Sequence, residues 1–222
     1  MCASYQARLN VTQLVRLFEQ ARAPLGFAGG LPNIEPVDEV RPTDPGLAVR
    51  AGPDAASALL IPMRFGFPAP APKRPPVINF RSEGRRFVNG ETSGRALVPV
   101  SGFYEFTGDK YPKTRWLLSG ADGEPLALAA LWRAGLEGEA FSLLTAEPGP
   151  DVAPYHSRGV LPLPVSAWAD WLFDRRPSED LLIPPPAGTL TARSAPRPGD
   201  AKGPDVAAEA PDLFDTPPQP RG

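Results

Sequence analysis

The cysteine at position 2 has the most distinctive chemistry in this sequence. Removal of Met1, which normally occurs when a residue as small as cysteine follows, would make Cys2 the N-terminus. An N-terminal cysteine carries an amine of pKa near ~8 and a thiol of pKa near ~8.5 on adjacent carbons. With an aldehyde, the amine forms a Schiff base and the thiol closes a five-membered thiazolidine. With an amide, the thiol would be the nucleophile and the amine the base. A cysteine that merely follows Met1 is the remaining alternative.

The counts of two residue types limit the chemistry further. The chain has one cysteine and one histidine, His156. A single cysteine excludes an internal disulfide and any multi-cysteine zinc or iron–sulfur site, and a single histidine excludes multi-histidine metal centres. The sequence therefore predicts a site without a metal or a cofactor.

Three further stretches carry polar groups in recognisable patterns. Asn79 begins an Asn-x-Arg-x-Glu motif, Glu105 ends Pro-x-x-Gly-Phe-Tyr-Glu, and His156 begins His-x-Arg. Together with Met-Cys at the start, these motifs in this order resemble the SRAP family of SOS-response-associated, abasic-site-processing proteins. The resemblance runs from Met1 to about Phe173, and its specificity comes from having all four motifs in register.

The resemblance implies a protein that senses abasic sites in single-stranded DNA. The ring-opened sugar of such a site exposes an aldehyde, which the family traps as a thiazolidine. Cys2 would then supply both nucleophiles, and Asn79 would orient the sugar or the amine. Glu105 would shuttle protons, and His156 would be a second acid or base that opens the sugar ring and lets the crosslink reverse. The structural alternatives are a turn cap for Asn79, an exposed strand end for Glu105 and a core histidine for His156.

The resemblance also implies DNA contacts outside the reacting centre. Charge-assisted bonds to phosphates would come from arginines, and stacking on bases from phenylalanines. The candidates are Arg64, Phe65, Arg81, Phe106, Thr145 and Arg158. A structural salt bridge from Arg81 to Glu83 or Glu105 is the alternative for that arginine.

The sequence departs from the family pattern at several of these places. Ala3 and Ser4 follow Cys2 where Gly-Arg is usual, and phenylalanine stands at positions 65 and 106 where tryptophan is frequent. These changes reduce the expected DNA affinity more than they affect the covalent step.

The charge is unevenly distributed. The net charge is −2, which gives no overall attraction to nucleic acid or to a membrane. The segment from residue 64 to 95, however, has two acidic residues and seven basic ones: Arg64, Lys73, Arg74, Arg81, Arg85, Arg86 and Arg95. This stretch is either a track for a phosphate backbone or an ordinary solvated loop.

The chain has no run of about 18 apolar residues and no secretory signal pattern. The absence of such a run predicts no membrane contact. One cysteine without an export signal predicts a reducing cytoplasm, and a DNA-binding role predicts association with the nucleoid.

The elements that must position these residues are mostly strands. Apolar spacing predicts a helix over Val11–Arg22, capped by Thr12 and ended by Pro24, and a short helix over Trp168–Phe173. The predicted strands are Gly46–Arg50, Ala58–Phe65, Ala96–Tyr104, Thr114–Leu118, Pro125–Trp132 and Ala140–Thr145. The fold class is therefore α+β, a single β-rich domain of antiparallel strands with a few short helices, over residues 1–186.

Residues 187–222 form a predicted disordered tail, rich in proline, alanine and aspartate. It contains one apolar dipeptide, Leu213-Phe214, which faintly resembles the peptides that dock on replication sliding clamps. An accidental dipeptide is the alternative.

Three functions remain open. The leading one is covalent crosslinking of abasic sites in single-stranded DNA through Cys2, an enzymatic activity of lyase type. The alternative is an N-terminal-nucleophile hydrolase, either amidotransferase-like or a peptidase, with the Cys2 thiol as nucleophile. The third is an adaptor that recruits a clamp and does not need Cys2.

Overall fold

The structure is a computed structural model of the 222-residue chain. It describes residues 3–27, 30, 34–54, 56–69, 71–136 and 138–197. Cys2 lies outside the described residues, and so do residues 198–222 with the Leu213-Phe214 dipeptide.

The two helices lie where the apolar spacing predicts them. Helix α1 spans Val11–Gln20 and buries Leu14, Leu17 and Phe18. Its N-cap is Asn10, whose side chain accepts from the Gln13 amide at 3.2 Å, so the predicted cap at Thr12 was wrong by two positions. Helix α2 spans Trp168–Leu172, and single 3₁₀ turns cover Val165–Ala167 and Ser178–Asp180.

Thirteen strands run through the described residues. They are β1 Tyr5–Ala7, β2 Leu25–Phe27, β3 Val37–Val40, β4 Pro45–Ala51, β5 Ala58–Phe65, β6 Asn79–Arg81, β7 Ser93–Val100, β8 Gly102–Thr107, β9 Thr114–Gly120, β10 Leu126–Gly135, β11 Gly138–Ala146, β12 Gly159–Val160 and β13 Leu190–Ser194. The strand-rich α+β class is confirmed. The run predicted over Ala96–Tyr104 is divided between β7 and β8, which belong to different sheets.

The strands form two sheets. The smaller sheet has the order β13-β9-β8-β1-β3. In the larger sheet, β5, β4, β7, β10 and β11 are neighbours in turn, and β11 also pairs with β5. This last pairing closes the five strands into a ring, which removes their free edges. Strands β2, β6 and β12 attach to the ring.

Most strand pairs are antiparallel, as predicted, but three are parallel: β2 with β5, β5 with β11, and β6 with β11. Parallel pairing was not expected because the sequence shows no crossover helices between these strands. Here the connection from β5 to β11 passes through the five strands β6 to β10, and those strands supply the crossover that a helix usually supplies.

The fold continues beyond residue 186, which corrects the predicted domain boundary. Strand β13 pairs along its whole length with β9, and Leu190 is buried against the core. Arg197 then bonds to Glu39 at 2.9 Å. Residues 187–197 are therefore part of the domain and not of a tail.

No helix among the described residues is both long and apolar enough to cross a membrane.

Candidate functional site

Glu105 is a buried carboxyl in the smaller sheet. It lies on β8, directly opposite Trp116 of β9, and only 1% of its surface is exposed. Burial removes water from the ionised form and raises the pKa of Glu105 to about 7. A carboxyl with this pKa can both donate and accept a proton near neutral pH, which is the property required of a general acid–base catalyst.

The N-terminal strand runs beside the strand of Glu105. Tyr5 of β1 pairs with Phe103 of β8, and the Tyr104 amide donates to the Ser4 carbonyl at 3.0 Å. The Ser4 hydroxyl also donates to Glu39 at 2.8 Å. The first bond joins residue 4 to the strand that carries the buried carboxyl, and the second joins it to β3 on the other side.

His156 is connected to Glu105 through two aromatic rings. Residues opposite each other in an antiparallel pair direct their side chains to the same face, so Glu105 and Trp116 share a face. The Tyr155 ring packs against Trp116 with centroids 5.1 Å apart, and His156 follows Tyr155 in the chain. The loop that carries the histidine therefore lies over the face of the sheet that carries the carboxyl.

The environment of His156 sets its charge state and tautomer. Burial lowers the pKa of His156, and the positive charges of Arg158 and Lys113 act in the same direction. Its Nδ1 accepts from the Arg158 amide at 3.0 Å. In the neutral ring the proton is then on Nε2.

Strand β11 brings the other predicted residues to the same region. Asn79 and Arg81 of β6 pair with Leu143 and Thr145 of β11, and Asn79 is half-buried. The Thr145 carbonyl accepts from Nη2 of Arg158 at 2.8 Å. Adjacent strands and short hydrogen bonds therefore link four of the predicted residues, Asn79, Thr145, His156 and Arg158. Asn79 and His156 are 77 positions apart in the chain.

Arg158 and Arg81 differ in how they are held. Both terminal nitrogens of Arg158 donate to the Glu83 carboxylate, and hydrogen bonding by Arg158 lowers the pKa of Glu83 to about 2. The sequence offered Arg81 as the partner of Glu83, but Arg158 takes that place. Arg81 is exposed, and no ion pair joins it to another described residue.

Phe65 does not fit its predicted contact with DNA. Its side chain is fully buried and stacks on Phe141, with centroids 5.2 Å apart and an angle of 12° between the rings. A base cannot reach this ring without opening the core. Its neighbour Arg64 points to the other side of β5 and donates to the Gly66 carbonyl at 2.7 Å. Phe106 is half-buried, and the Arg197 guanidinium lies 5.6 Å from its ring centre.

The basic stretch is also less positive at the surface than its sequence suggests. Arg95 is completely buried, pairs with Asp174 at 2.7 Å and lies over the ring of Trp171. Its guanidinium also donates to the carbonyls of Phe87 and Arg176. Arg95 therefore stabilises the fold, and it cannot contact a phosphate backbone.

Sequence reasoning missed Trp116, Tyr155 and Lys113. Trp116 alternates with buried residues on β9, and nothing local in the sequence links it to Glu105. Tyr155 precedes the predicted histidine and could have been chosen for its position next to the motif.

Within the part of the chain that the structure describes, no three side chains of His, Cys, Asp and Glu come together to hold a metal ion.

Comparison with protein families gives a match that covers most of the chain. The model of the family described as SOS response associated peptidase (SRAP) matches residues 1–196. Among curated proteins, the Abasic site processing protein YedK of Escherichia coli (strain K12) is 29% identical over 121 residues. The matched stretch is 51% of this chain and 54% of that protein, so the chain spans about half the length of this relative.

Solved structures agree with the fold. A protein from Bordetella bronchiseptica superimposes with a TM-score of 0.67 at 22% identity, over 88% of this chain and all of the other. A phage-related protein from the same organism gives a TM-score of 0.67 at 18% identity, over 88% and 95% of the two chains. A Bacteroides thetaiotaomicron protein gives 0.54 at 14% identity, over 71% and 77%. At these identities the likeness establishes the fold alone.

Proposed function

The chain belongs to the SRAP family, and from this premise we propose that it traps abasic sites in single-stranded DNA as a covalent thiazolidine on Cys2. The observation that carries the proposal is the pairing of β1 with β8 beside the buried Glu105. Only Ala3 lies between Cys2 and Ser4, and a chain step of two extended residues spans at most about 7 Å. In this proposal, the amine and thiol of Cys2 react within reach of a carboxyl that can exchange protons at neutral pH. The name of the Escherichia coli relative supports abasic DNA as the partner.

The reaction consists of two additions to one carbon. The neutral amine of Cys2 adds to the aldehyde carbon of the ring-opened sugar, and the adduct loses water to give a Schiff base. The thiolate of Cys2 then adds to the same carbon while the nitrogen takes up a proton, which closes the ring. One water is released and nothing is oxidised or reduced, so hydrolysis reverses the crosslink.

Each neighbouring group has a part in this proposal. Glu105, with its pKa near 7, protonates the departing hydroxyl and accepts a proton in the reverse direction. His156, whose lowered pKa favours the neutral ring, takes the hydroxyl proton when the sugar ring opens. The Asn79 amide orients the sugar, and Arg81 contacts a flanking phosphate. The protein would work where such lesions arise, on the nucleoid.

The test compares two DNA strands and three proteins. One strand carries an abasic site, and the other carries its tetrahydrofuran analogue, which has no aldehyde. We expect a heat- and denaturant-stable band shift with the first strand only. Cys2→Ala and Cys2→Ser both keep the N-terminal amine but lack the thiol, so each loses the stable shift and gives only a Schiff base that borohydride must trap. An undiminished shift with Cys2→Ala, or mass spectrometry that finds Met1 retained, contradicts the proposal.

The hydrolase alternative uses the same thiol and amine on an amide and does not need a histidine. An amidase or peptidase activity that survives His156→Ala, in a preparation that does not crosslink abasic DNA, would favour it.

A further inference from the structure

The tip of the β8–β9 hairpin presents an exposed aromatic ring between two lysines. The last paired residues are Thr107 and Thr114, and the loop between them is exposed throughout. Tyr111 is 89% exposed in this loop. Lys110 precedes it, Lys113 follows it after a proline, and Asp109 is the one acidic residue of the loop.

This hairpin is continuous with the candidate site. Its first strand carries Glu105 and its second carries Trp116, whose ring contacts Tyr155. The last strand pair lies two residues beyond Glu105, which is about 7 Å along the strand. Lys113 is near enough to His156 for its charge to contribute, after burial, to the lowered pKa of the histidine. The tip therefore lies close to the candidate site.

The side chains of the tip are available to a ligand. No hydrogen bond or ion pair among the described residues involves Lys110, Tyr111 or Lys113. Single exposed apolar residues are common and need no explanation. Tyr111 is not such a single residue, because it lies between two lysines beside the proposed DNA site. Bases stack on aromatic rings, and lysines attract phosphates.

We propose that Tyr111 stacks on a base within a few nucleotides of the abasic sugar, while Lys110 and Lys113 contact the adjoining phosphates. The inference rests on the proposed function, because it assumes that single-stranded DNA occupies the site at Glu105 and His156. It adds a contact that holds the flanking strand and so favours lesions inside a strand over lesions at its end. The ring replaces part of the stacking surface that buried Phe65 cannot provide.

The test measures binding separately from chemistry. Single strands with a tetrahydrofuran site and 2-aminopurine at successive flanking positions are titrated with wild type, Tyr111→Ala, Tyr111→Phe and Leu136→Ala. Leu136 is a matched control, since it is exposed at the turn between β10 and β11. We expect Tyr111→Ala to weaken binding about five- to tenfold, and Tyr111→Phe and Leu136→Ala to leave it unchanged.

The 2-aminopurine signal locates the contact. Quenching at one flanking position with wild type, and its loss with Tyr111→Ala, would support the proposal. Equal affinity and equal quenching for wild type and Tyr111→Ala would overturn it, even if the wild-type protein crosslinks abasic DNA. If the wild type neither binds the analogue nor crosslinks the abasic strand, the proposed function fails and this inference fails with it.

Discussion

The guanidinium of Arg158 and the carboxylate of Glu83 form two parallel hydrogen bonds, Nη1 to Oε1 at 2.8 Å and Nη2 to Oε2 at 2.9 Å. Nη2 also donates to the Thr145 carbonyl at 2.8 Å. Both terminal nitrogens of Arg158 are thus engaged. A DNA phosphate can use this arginine fully only if it displaces Glu83, whose side chain is 45% exposed.

Glu83→Gln should therefore strengthen binding to single-stranded DNA. The change removes a negative charge from the proposed phosphate-binding surface and weakens the two hydrogen bonds that hold the Arg158 guanidinium. We expect the affinity for single-stranded DNA to rise about two- to fivefold at low salt. Fluorescence anisotropy with a tetrahydrofuran-containing strand measures it. Arg81→Gln is the opposing control, since loss of one phosphate contact should reduce the salt slope by about 1. Weaker binding by Glu83→Gln would mean that the carboxylate mainly holds Arg158 in place.

Glu105→Gln should slow crosslinking in a pH-dependent way. Glutamine cannot donate a proton at any pH, whereas Glu105 is protonated below a pKa of about 7. The ratio of wild-type to variant rate should therefore be about 100 or more at pH 6 and should fall as pH rises through 7. Single-turnover gels across pH give the ratio, and a value independent of pH would contradict proton donation by Glu105.

The buried carboxyl of Glu105, which is expected to speed crosslinking, should lower the stability of the fold at high pH. Its pKa is about 7 in the folded protein against 4.5 for an ordinary glutamate. Between these values the folded state binds more protons than the unfolded state, so stability decreases as pH rises towards 7. Glu105→Gln should unfold at nearly the wild-type denaturant concentration at pH 4, but be more stable by about 1–3 kcal/mol at pH 8. Equal differences at both pH values would show that Glu105 is not the titrating group.

Arg95→Met should destabilise the fold without changing DNA affinity. The substitution leaves the Asp174 carboxylate and the carbonyls of Phe87, Trp171 and Arg176 without their buried partner, and we expect a loss of about 3–5 kcal/mol in the free energy of unfolding. Urea denaturation measures the loss. Arg85→Gln is the control, because Arg85 belongs to the same basic stretch but is exposed, and its loss should not change stability. A fully stable Arg95→Met protein would contradict the structural role.

Truncation tests the corrected domain boundary. Ending the chain at residue 186 removes β13, exposes the edge of β9 and deletes the buried Leu190. We expect the melting temperature to fall by about 5–10 °C. A chain ending at residue 197 keeps these contacts, and its melting temperature should equal that of the full-length protein. Calorimetry that finds both truncations equally stable would restore the boundary at residue 186.

Patterns along the chain were sufficient for the elements and for the reacting groups. The apolar spacing predicts a helix over Val11–Arg22, where α1 covers Val11–Gln20, and a short apolar run predicts β5 over Ala58–Phe65 with its bounds. The motifs around Asn79, Glu105 and His156 identify the family, because the order of a few chemically specific residues is preserved in the sequence itself. Short strands such as β6 and β12 were missed, since two or three residues carry no measurable period.

Only the tertiary structure decided the partners of these residues. Alternation places Phe65 and Arg64 on opposite faces of β5, but it does not say that the face of Phe65 lies inside a closed ring of strands. In the sequence, Arg95 is one more cation of a basic stretch. In the structure, Asp174 and Trp171, which are far from it along the chain, pack against it. The choice of Arg158 over Arg81 for Glu83 depends on the register between β6 and β11. Sequence determines the chemistry of each side chain, whereas burial and charge pairing arise from contacts between distant segments, and these exist only after the sheets have closed.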